Sequence, residues 1–416
     1  MKGSVFPRFD ITPAEAIDLI ASATRPAGSE TVPLAEAWRR VLAEDLASLA
    51  DRPSADDSAL DGFACRASET AAATPSSPVR LRLVGTSHAG KPFDGVVDPG
   101  QAARIATGAA VPVGTDAVVG VEDAGEEDGW VVVRAPAQRE AVRRRARDLA
   151  TGHAYLRAGR RLDAANLGLA AAMGHGAVRV ARRPKVALLV TGDELIAPGA
   201  GPLRPGEVYD ANGASMAALV AAAGAELAGI KRVGDEPDEL EAVIATCGEA
   251  DLIVTSGGVS KGERDAVRDL LHDRGELVFW RVMMRPGGPT MFGSLGGIPL
   301  LGMPGNPVSS IVTFLLFVRA YLDTAMGRSG PLPYYDRLRA TARSVFSAGA
   351  KEFLHRAHLR FEAQGPVVEA FEDQSSAVLR AMTAAGALVV VPPGRRFGPG
   401  EANPSVEAIP LAAHLS

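Results

Sequence analysis

Cysteine, lysine and long apolar runs are all scarce in this 416-residue chain. Two cysteines occur, Cys65 and Cys247, far apart and without C-x-x-C spacing. Neither a zinc site nor a disulfide framework is implied, and a reducing compartment fits. No apolar run reaches 18 residues, and the opening MKGSVFPRFDITPAEA has no apolar signal core. The expectation is a soluble, cytoplasmic protein with no membrane partner. The net charge of −5 argues against nucleic acid bound through overall charge. Six lysines, at positions 2, 91, 185, 231, 261 and 351, stand among 44 basic residues, so arginine carries most of the positive charge.

What is present is ordinary globular composition, 47% hydrophobic and 22% charged. The length exceeds what one core usually supports, which implies two to four domains. Thr12-Pro13-Ala14-Glu15 reads as a capping box with proline at the first helical position, and Leu34–Leu46 as a second amphipathic helix. After the turn-rich 51-DRPSADDSALDGF-63, short β-like runs separated by Gly/Pro turns fill 79–134. Ala164–Met173 returns to a helical pattern. Between 184 and 325 apolar strands alternate with helical segments: Val186–Val190, Leu252–Val254, Leu277–Trp280 and Ile298–Gly302 against Ala214–Ala223, Pro237–Cys247, Ala266–Arg274 and Val308–Thr324. That alternation predicts a mostly parallel α/β sheet covered on both faces. Beyond Pro331 the chain becomes β-rich again.

In an open α/β sheet, ligands bind beyond the carboxyl ends of the strands. The unusual residues collect there, in 191-TGDEL-195, 255-TSGGVSKGERD-265, 281-RVMMRPGGP-289 and 302-GMPGNPVS-309. Ser260 and Glu263 have capping-box spacing and need no ligand. Ser256-Gly257-Gly258, bare backbone before a helix, suits an anion. Both readings stand on these residues alone. No nucleotide-binding glycine motif follows a strand. Arg281 and Arg285 are either solvated or oxyanion ligands. Gly302–Pro307 is either a stiffened loop or a preorganised rim. Asp193, Glu194, Asp210, Asp235 and Asp265 are either helix or turn caps, or oxygen ligands for Mg²⁺ beside phosphate. Nothing bottom-up assigns a role to Asp61 or Thr107.

The stretches 57-DSALDGFA-64, 104-RIATGAAVPVGTDAVV-119, 191-TGDEL-195, 208-VYDANG-213, 255-TSGGVSKGERD-265, 284-MRPGGP-289 and 302-GMPGNPVS-309, in this order, resemble the signatures of the MoeA / gephyrin E-domain family, the molybdopterin molybdenumtransferases. The resemblance implies a multidomain α/β plus β fold. A helical domain I would comprise 1–50 and 150–183, and a β-rich domain II 51–149. An α/β molybdopterin-binding domain III would span 184–328, and a C-terminal β domain IV 329–416. It also implies a homodimer whose active site lies between domain III of one subunit and domains II and IV of the other. The reaction would use adenylylated molybdopterin, molybdate and Mg²⁺, yielding molybdenum cofactor and AMP. Molybdopterin adenylyltransferase and apo-molybdoenzymes would be its partners.

Residue by residue, the resemblance carries catalytic roles to Asp61, Thr107, Asp148, Glu194, Asp235 and Asp265, with Glu194, Asp235 and Asp265 as metal ligands. Substrate-binding roles fall on Asp210, Asn212, Ser256, Gly257, Gly258, Ser260, Arg281, Arg285, Pro304, Gly305, Asn306 and Pro307, and in domain IV on Arg356 and Ser376. The chain departs from the family pattern at four places. Gly288 replaces a lysine in R-P-G-K-P, and Lys261 a small apolar residue. 146-ARD-148 replaces G-E-D, and 374-QSSA-377 replaces Q-G-S-G. The competing expectation is therefore a non-catalytic carrier of molybdopterin or its molybdenum form. A scaffolding role is a third, with no partner-binding feature to support it.

Overall fold

The strand Lys185–Thr191, KVALLVT, is apolar at almost every position, a pattern that requires cover on both faces. Val186 and Leu188 enter one apolar cluster, while Ala187 and Leu189 enter another on the opposite face. This is the two-residue period of a strand. Leu252 and Val254 against Ile253 repeat the division on the neighbouring strand. Helices Pro13–Ala23 and Ala211–Ala223 and the helical run 307–325 close the first cluster, and Pro237–Ala245 and Ala266–Arg274 the second. The computed structural model describes residues 7–234, 236–259, 266–401 and 404–415.

The sheet has seven strands, in the order Arg8–Ile11, Glu276–Val282, Met291–Leu295, Ile298–Met303, Leu252–Ser256, Lys185–Thr191, Glu226–Val233. All neighbours pair parallel except Met291–Leu295, which runs antiparallel to both of its partners. The expected parallel α/β domain is present as a mixed, mainly parallel sheet. Three strands were not legible in the sequence, Arg8–Ile11 at one edge among them. Glu226–Val233 is an edge strand, largely exposed and interrupted by Gly229, and Met291–Leu295 is short and contains Gly293. The run Pro307–Ala325 is long and apolar enough to cross a membrane by composition, but 94% of its apolar window is buried within the protein. Arg319 and Asp323 pair at 3.1 Å inside that interior, so this is the central helix of the largest core.

Two expectations about the N-terminal region are corrected. Leu34–Leu46 is not a helix; only the turn Leu34–Glu36 is helical, as a 3₁₀ segment. Arg39 adopts φ 62°, and Val41 and Leu42 make bridges to Arg161 and Val180. Val41 packs into the large core and its neighbour Leu42 into a separate cluster with Leu149 and Leu162. An extended backbone sends adjacent side chains to opposite sides in this way, whereas a helix turns them by only about 100°. Tertiary pairing thus overrides local periodicity. The second correction concerns 8–23, which joins the α/β sheet and its core instead of a separate helical unit. The remainder of that region combines helix Ala164–Ala172 with two short strand pairs, Ser29–Pro33 with Ala177–Ala181 and Leu46–Ala47 with Ala154–Leu156.

The inserted region carries a six-stranded sheet, Ala117–Gly120, Gly62–Cys65, Gln101–Ile105, Val79–Ser87, Trp130–Val133 and Ala124–Glu127 in spatial order. At the C-terminus, Glu352–Glu362, Gly365–Ala370, Leu338–Ala342, Ser405–Pro410 and Ala387–Val391 pair in sequence around a ring. Glu352–Glu362 then closes onto Ala387–Val391, giving a small barrel. Met284–Arg285 adds to Glu352–Phe353 in parallel, tying the barrel to the α/β domain. That junction sets the position of the site.

Candidate functional site

Thr191, Ser256 and Met303 end three adjacent parallel strands, and the loops that follow them wall a cavity of about 770 Å³. The barrel supplies the opposite wall through Lys351, Gln374, Ser376 and Ala377. The position matches the expectation for an open α/β sheet.

The Ser256-Gly257-Gly258 turn is glycine-rich for a packing reason. Gly257 has φ +104°, and a Cβ there would lie 2.4 Å from Thr191 Oγ1. The Gly257 amide donates to Met303 O at 2.9 Å, binding two strand ends together. Asn212, almost fully buried, donates its amide hydrogens to Ser256 Oγ (2.8 Å) and Gly305 O (2.7 Å). Ser310 Oγ donates to Pro304 O at 2.5 Å. The Gly302–Pro307 loop is therefore fixed to the strand ends before any ligand arrives. Asn306 and Ser376 join the two walls, since Asn306 Nδ2 donates to Ser376 Oγ at 3.1 Å and the Val308 amide to Ser376 O at 3.2 Å. The Arg285–Pro286 bond is cis. Gly288 O accepts from the Val282 amide at 2.8 Å, and Thr290 Oγ1 donates to Gly287 O at 2.7 Å.

Among the described residues, Glu194, Asp210, Arg285 and Lys351 are the charged side chains on the cavity wall. Asp210 is committed elsewhere. It caps helix Ala211–Ala223 by accepting from the Gly213 amide at 2.7 Å, and it pairs with Arg232 at 3.0 Å. Glu194 is exposed and has no ion pair or side-chain hydrogen bond among the described residues. Arg285 stacks over the Phe353 ring at 5.0 Å and has no hydrogen bond or ion pair among the described residues. Neither cysteine nor histidine lines this wall among the described residues. Burial pushes the Cys65 thiol up to about 12, which removes it as a nucleophile.

The structure divides the remaining expected residues. Pro304, Gly305, Asn306, Pro307 and Ser376 line the cavity. Asp61 and Thr107 meet each other, with the Thr107 amide donating to Asp61 Oδ1 at 2.8 Å, but on the inserted domain and away from this wall. Asp148 lies 3.6 Å from Arg52, beside a different cleft lined by Asp57, Arg143 and Arg147. Asp235, Ser260 and Asp265, together with Lys261, fall outside the described residues. Two expected substrate-binding residues are engaged within the protein. Arg281 bonds Asp10 on the N-terminal strand and packs on Trp280 at 5.2 Å, so it braces the sheet edge. Arg356 is only 2% exposed. Its guanidinium donates to the carbonyls of Val378 (2.9 Å), Asp373 (3.0 Å) and Ser375 (3.0 Å), holding the loop that carries Ser376. Lys351 is the functional candidate that sequence reasoning missed. Its signal was the rarity of lysine in an arginine-rich chain.

A strand-end cavity in an α/β domain, closed by a C-terminal barrel, defines a multidomain protein with a cleft at a domain border. Residues 11–174 match the model of the MoeA N-terminal region (domain I and II). Residues 187–324 match that of a probable molybdopterin binding domain, and 339–411 that of the MoeA C-terminal region (domain IV). The chain is 36% identical over 383 residues to the protein named molybdopterin molybdenumtransferase 2 of Mycobacterium tuberculosis (strain ATCC 25618 / H37Rv), covering 90% of this chain and 93% of that one. It is 37% identical over 306 residues to molybdopterin molybdenumtransferase of Haemophilus influenzae, covering 73% and 74%. The crystal structure of the molybdopterin biosynthesis MoeA protein from Pyrococcus horikoshii OT3 superposes with a TM-score of 0.81 at 26% identity, covering 96% and 99%. The chain belongs to the MoeA family.

Proposed function

We propose that this protein is a molybdopterin molybdenumtransferase, which takes adenylylated molybdopterin and molybdate and yields molybdenum cofactor and AMP. The observation that carries this reading is the cavity between the α/β domain and the barrel, where rigid strand-end loops face Arg285 and Lys351, neither of them paired among the described residues. Molybdate and the pterin phosphate are both anions, and fixed cations in a partly desolvated cleft hold oxyanions without reorganisation. Asn212 and Ser310 preset the loop geometry, so little ordering remains to be done on binding. No covalent nucleophile is required of the protein.

Among the described residues no group of three or more metal-ligating side chains gathers. Glu194, an unpaired carboxylate on the cavity wall, fits a Mg²⁺ held by one or two carboxylates and by substrate phosphate oxygens. Asp235 and Asp265 remain proposed co-ligands. When bound, the ion would supply charge neutralisation at the adenylyl phosphate. We further propose that a homodimer brings the Asp61–Thr107 pair and Asp148 to the partner's cavity. The support is that these residues lie away from the cavity of their own chain. A cytoplasmic setting, an adenylyltransferase that delivers the substrate and apo-molybdoenzymes that receive the product complete the reading.

Incubation of the protein with adenylylated molybdopterin, Mg²⁺ and molybdate tests it. AMP release and activation of an apo-molybdoenzyme are expected. Tight binding of molybdopterin with no AMP released would transfer the assignment to the carrier reading. Sedimentation of a monomer at micromolar concentration would remove the shared-site proposal.

A further inference from the structure

Lys351 stands immediately before the barrel strand Glu352–Glu362, whose first residues pair in parallel with Met284–Arg285. The Glu352 amide also donates to Met283 O at 3.1 Å. This junction presses the lysine against the 285–289 loop. Its ammonium lies 3.7 Å from the point where a Cβ on Gly288 would stand. Gly288 has no left-handed φ to require a glycine, and its nearest obstacle is Met284 O at 3.1 Å from that Cβ. A side chain at 288 would sit tightly against that carbonyl, and the ammonium of Lys351 borders the position it would take.

The lysine is also uncommitted. Lys185 pairs with Glu249, and Lys231 bonds Thr246. Lys351 has no hydrogen bond or ion pair among the described residues and lies on the same cavity wall as the unpaired Arg285. Neither cation bonds to protein among the described residues, and although the Glu194 carboxylate lies on the same wall, an anionic ligand would give both an electrostatic partner. A lysine ammonium is a point charge with rotatable donors, suited to a tetrahedral oxyanion that presents no planar edge for an arginine fork.

Resting on the transferase reading above, we propose that Lys351 of the barrel is the second oxyanion-binding cation of this site. It works beside Arg285 and takes the place that a basic side chain at residue 288 would occupy. The ligand chemistry is a tetrahedral dianion, either molybdate or the phosphate of molybdopterin.

The test compares wild type with Lys351→Ala, Lys351→Arg, Gly288→Lys and the double variant Gly288→Lys/Lys351→Ala, in two arms. One arm measures the molybdate concentration dependence of AMP release, and the other the Kd for molybdopterin. Lys351→Ala is expected to raise the molybdate KM, or the molybdopterin Kd, by about tenfold or more. The arm that moves identifies the oxyanion. Lys351→Arg should retain part of the affinity, and the double variant should recover most of it, with thermal midpoints unchanged in both single Lys351 variants. If wild type is active and Lys351→Ala matches it in both arms, the Lys351 assignment is wrong while the transferase reading survives. Failure of the double variant to recover affinity would show that residue 288 and Lys351 do not share one position, and would overturn the replacement. A wild type that takes neither molybdate nor molybdopterin overturns both readings.

Discussion

Two stretches of the same barrel strand treat positive charge in opposite ways. Just before its start, Lys351 lines the cavity with no hydrogen bond or ion pair among the described residues, on the same wall as Arg285. Five residues on, Arg356 is buried and spends its guanidinium on three backbone carbonyls of the 373–378 loop. A buried cation must be satisfied by the protein, because an unpaired one costs several kcal/mol. A cation on an open wall has water as its alternative and remains free for a ligand. From sequence, Arg356 was expected to contact an oxyanion and Lys351 was given no role. Burial separates the two.

The comparison fails if Arg356 contributes chemistry instead of architecture. Arg356→Ala leaves three carbonyls without their donor and should lower stability by about 3 kcal/mol, read by denaturant unfolding. Arg356→Lys should recover little, since one ammonium does not reach the same set of carbonyls. A fully stable Arg356→Ala variant that has lost only substrate affinity would return this residue to the ligand.

Gly257 provides a second contrast, between a glycine fixed by both a left-handed φ and a clash and Gly288, where only a close approach to Met284 O opposes a side chain. Gly257→Ala meets both a left-handed φ and the Thr191 hydroxyl. It should cost about 2 kcal/mol in unfolding experiments. Gly288→Ala, opposed only by the close approach to Met284 O, should cost less, about 1 kcal/mol.

On the cavity wall, Arg285→Ala should leave the unfolding free energy within about 0.5 kcal/mol of wild type while weakening oxyanion binding about tenfold or more, measured by titration with molybdopterin. A large loss of stability would mean that the stack on Phe353 is structural.

The smallest effect is one of pH. Burial holds the His355 imidazole below the ordinary value of 6.5, the Ser347 carbonyl opposes that shift, and the charge of Arg285 adds to it. The folded barrel therefore keeps the ring neutral. Above pH 6.5 neither state binds the proton. As pH falls below it, the unfolded chain protonates first and stability declines. Unfolding experiments between pH 7.5 and 5.5 should show this slope in wild type, a shallower one in Arg285→Ala and a flatter one in His355→Gln.

Much of the α/β domain was legible in the chain. Runs such as KVALLVT and LIVTS are apolar at nearly every position because both faces are covered, and the capping box at Thr12–Glu15 formed as its spacing predicts. The cleft loops were also legible, since glycine and proline cluster where strands stop. Glu226–Val233, at the exposed edge of the sheet, carried little apolar signal. Leu34–Leu46 carried a misleading one, because Val41 and Leu42 serve two different cores.

By itself the sequence determined the buried strands of the α/β domain and the glycine- and proline-rich loops where they end. Local periodicity and turn chemistry encode those features. Only the tertiary structure decided which cations are free. That outcome depends on burial and on carbonyls far away in the chain, as when Val378 claims Arg356, and on the parallel pairing of Met284–Arg285 with Glu352–Phe353 that carries Lys351 to Gly288.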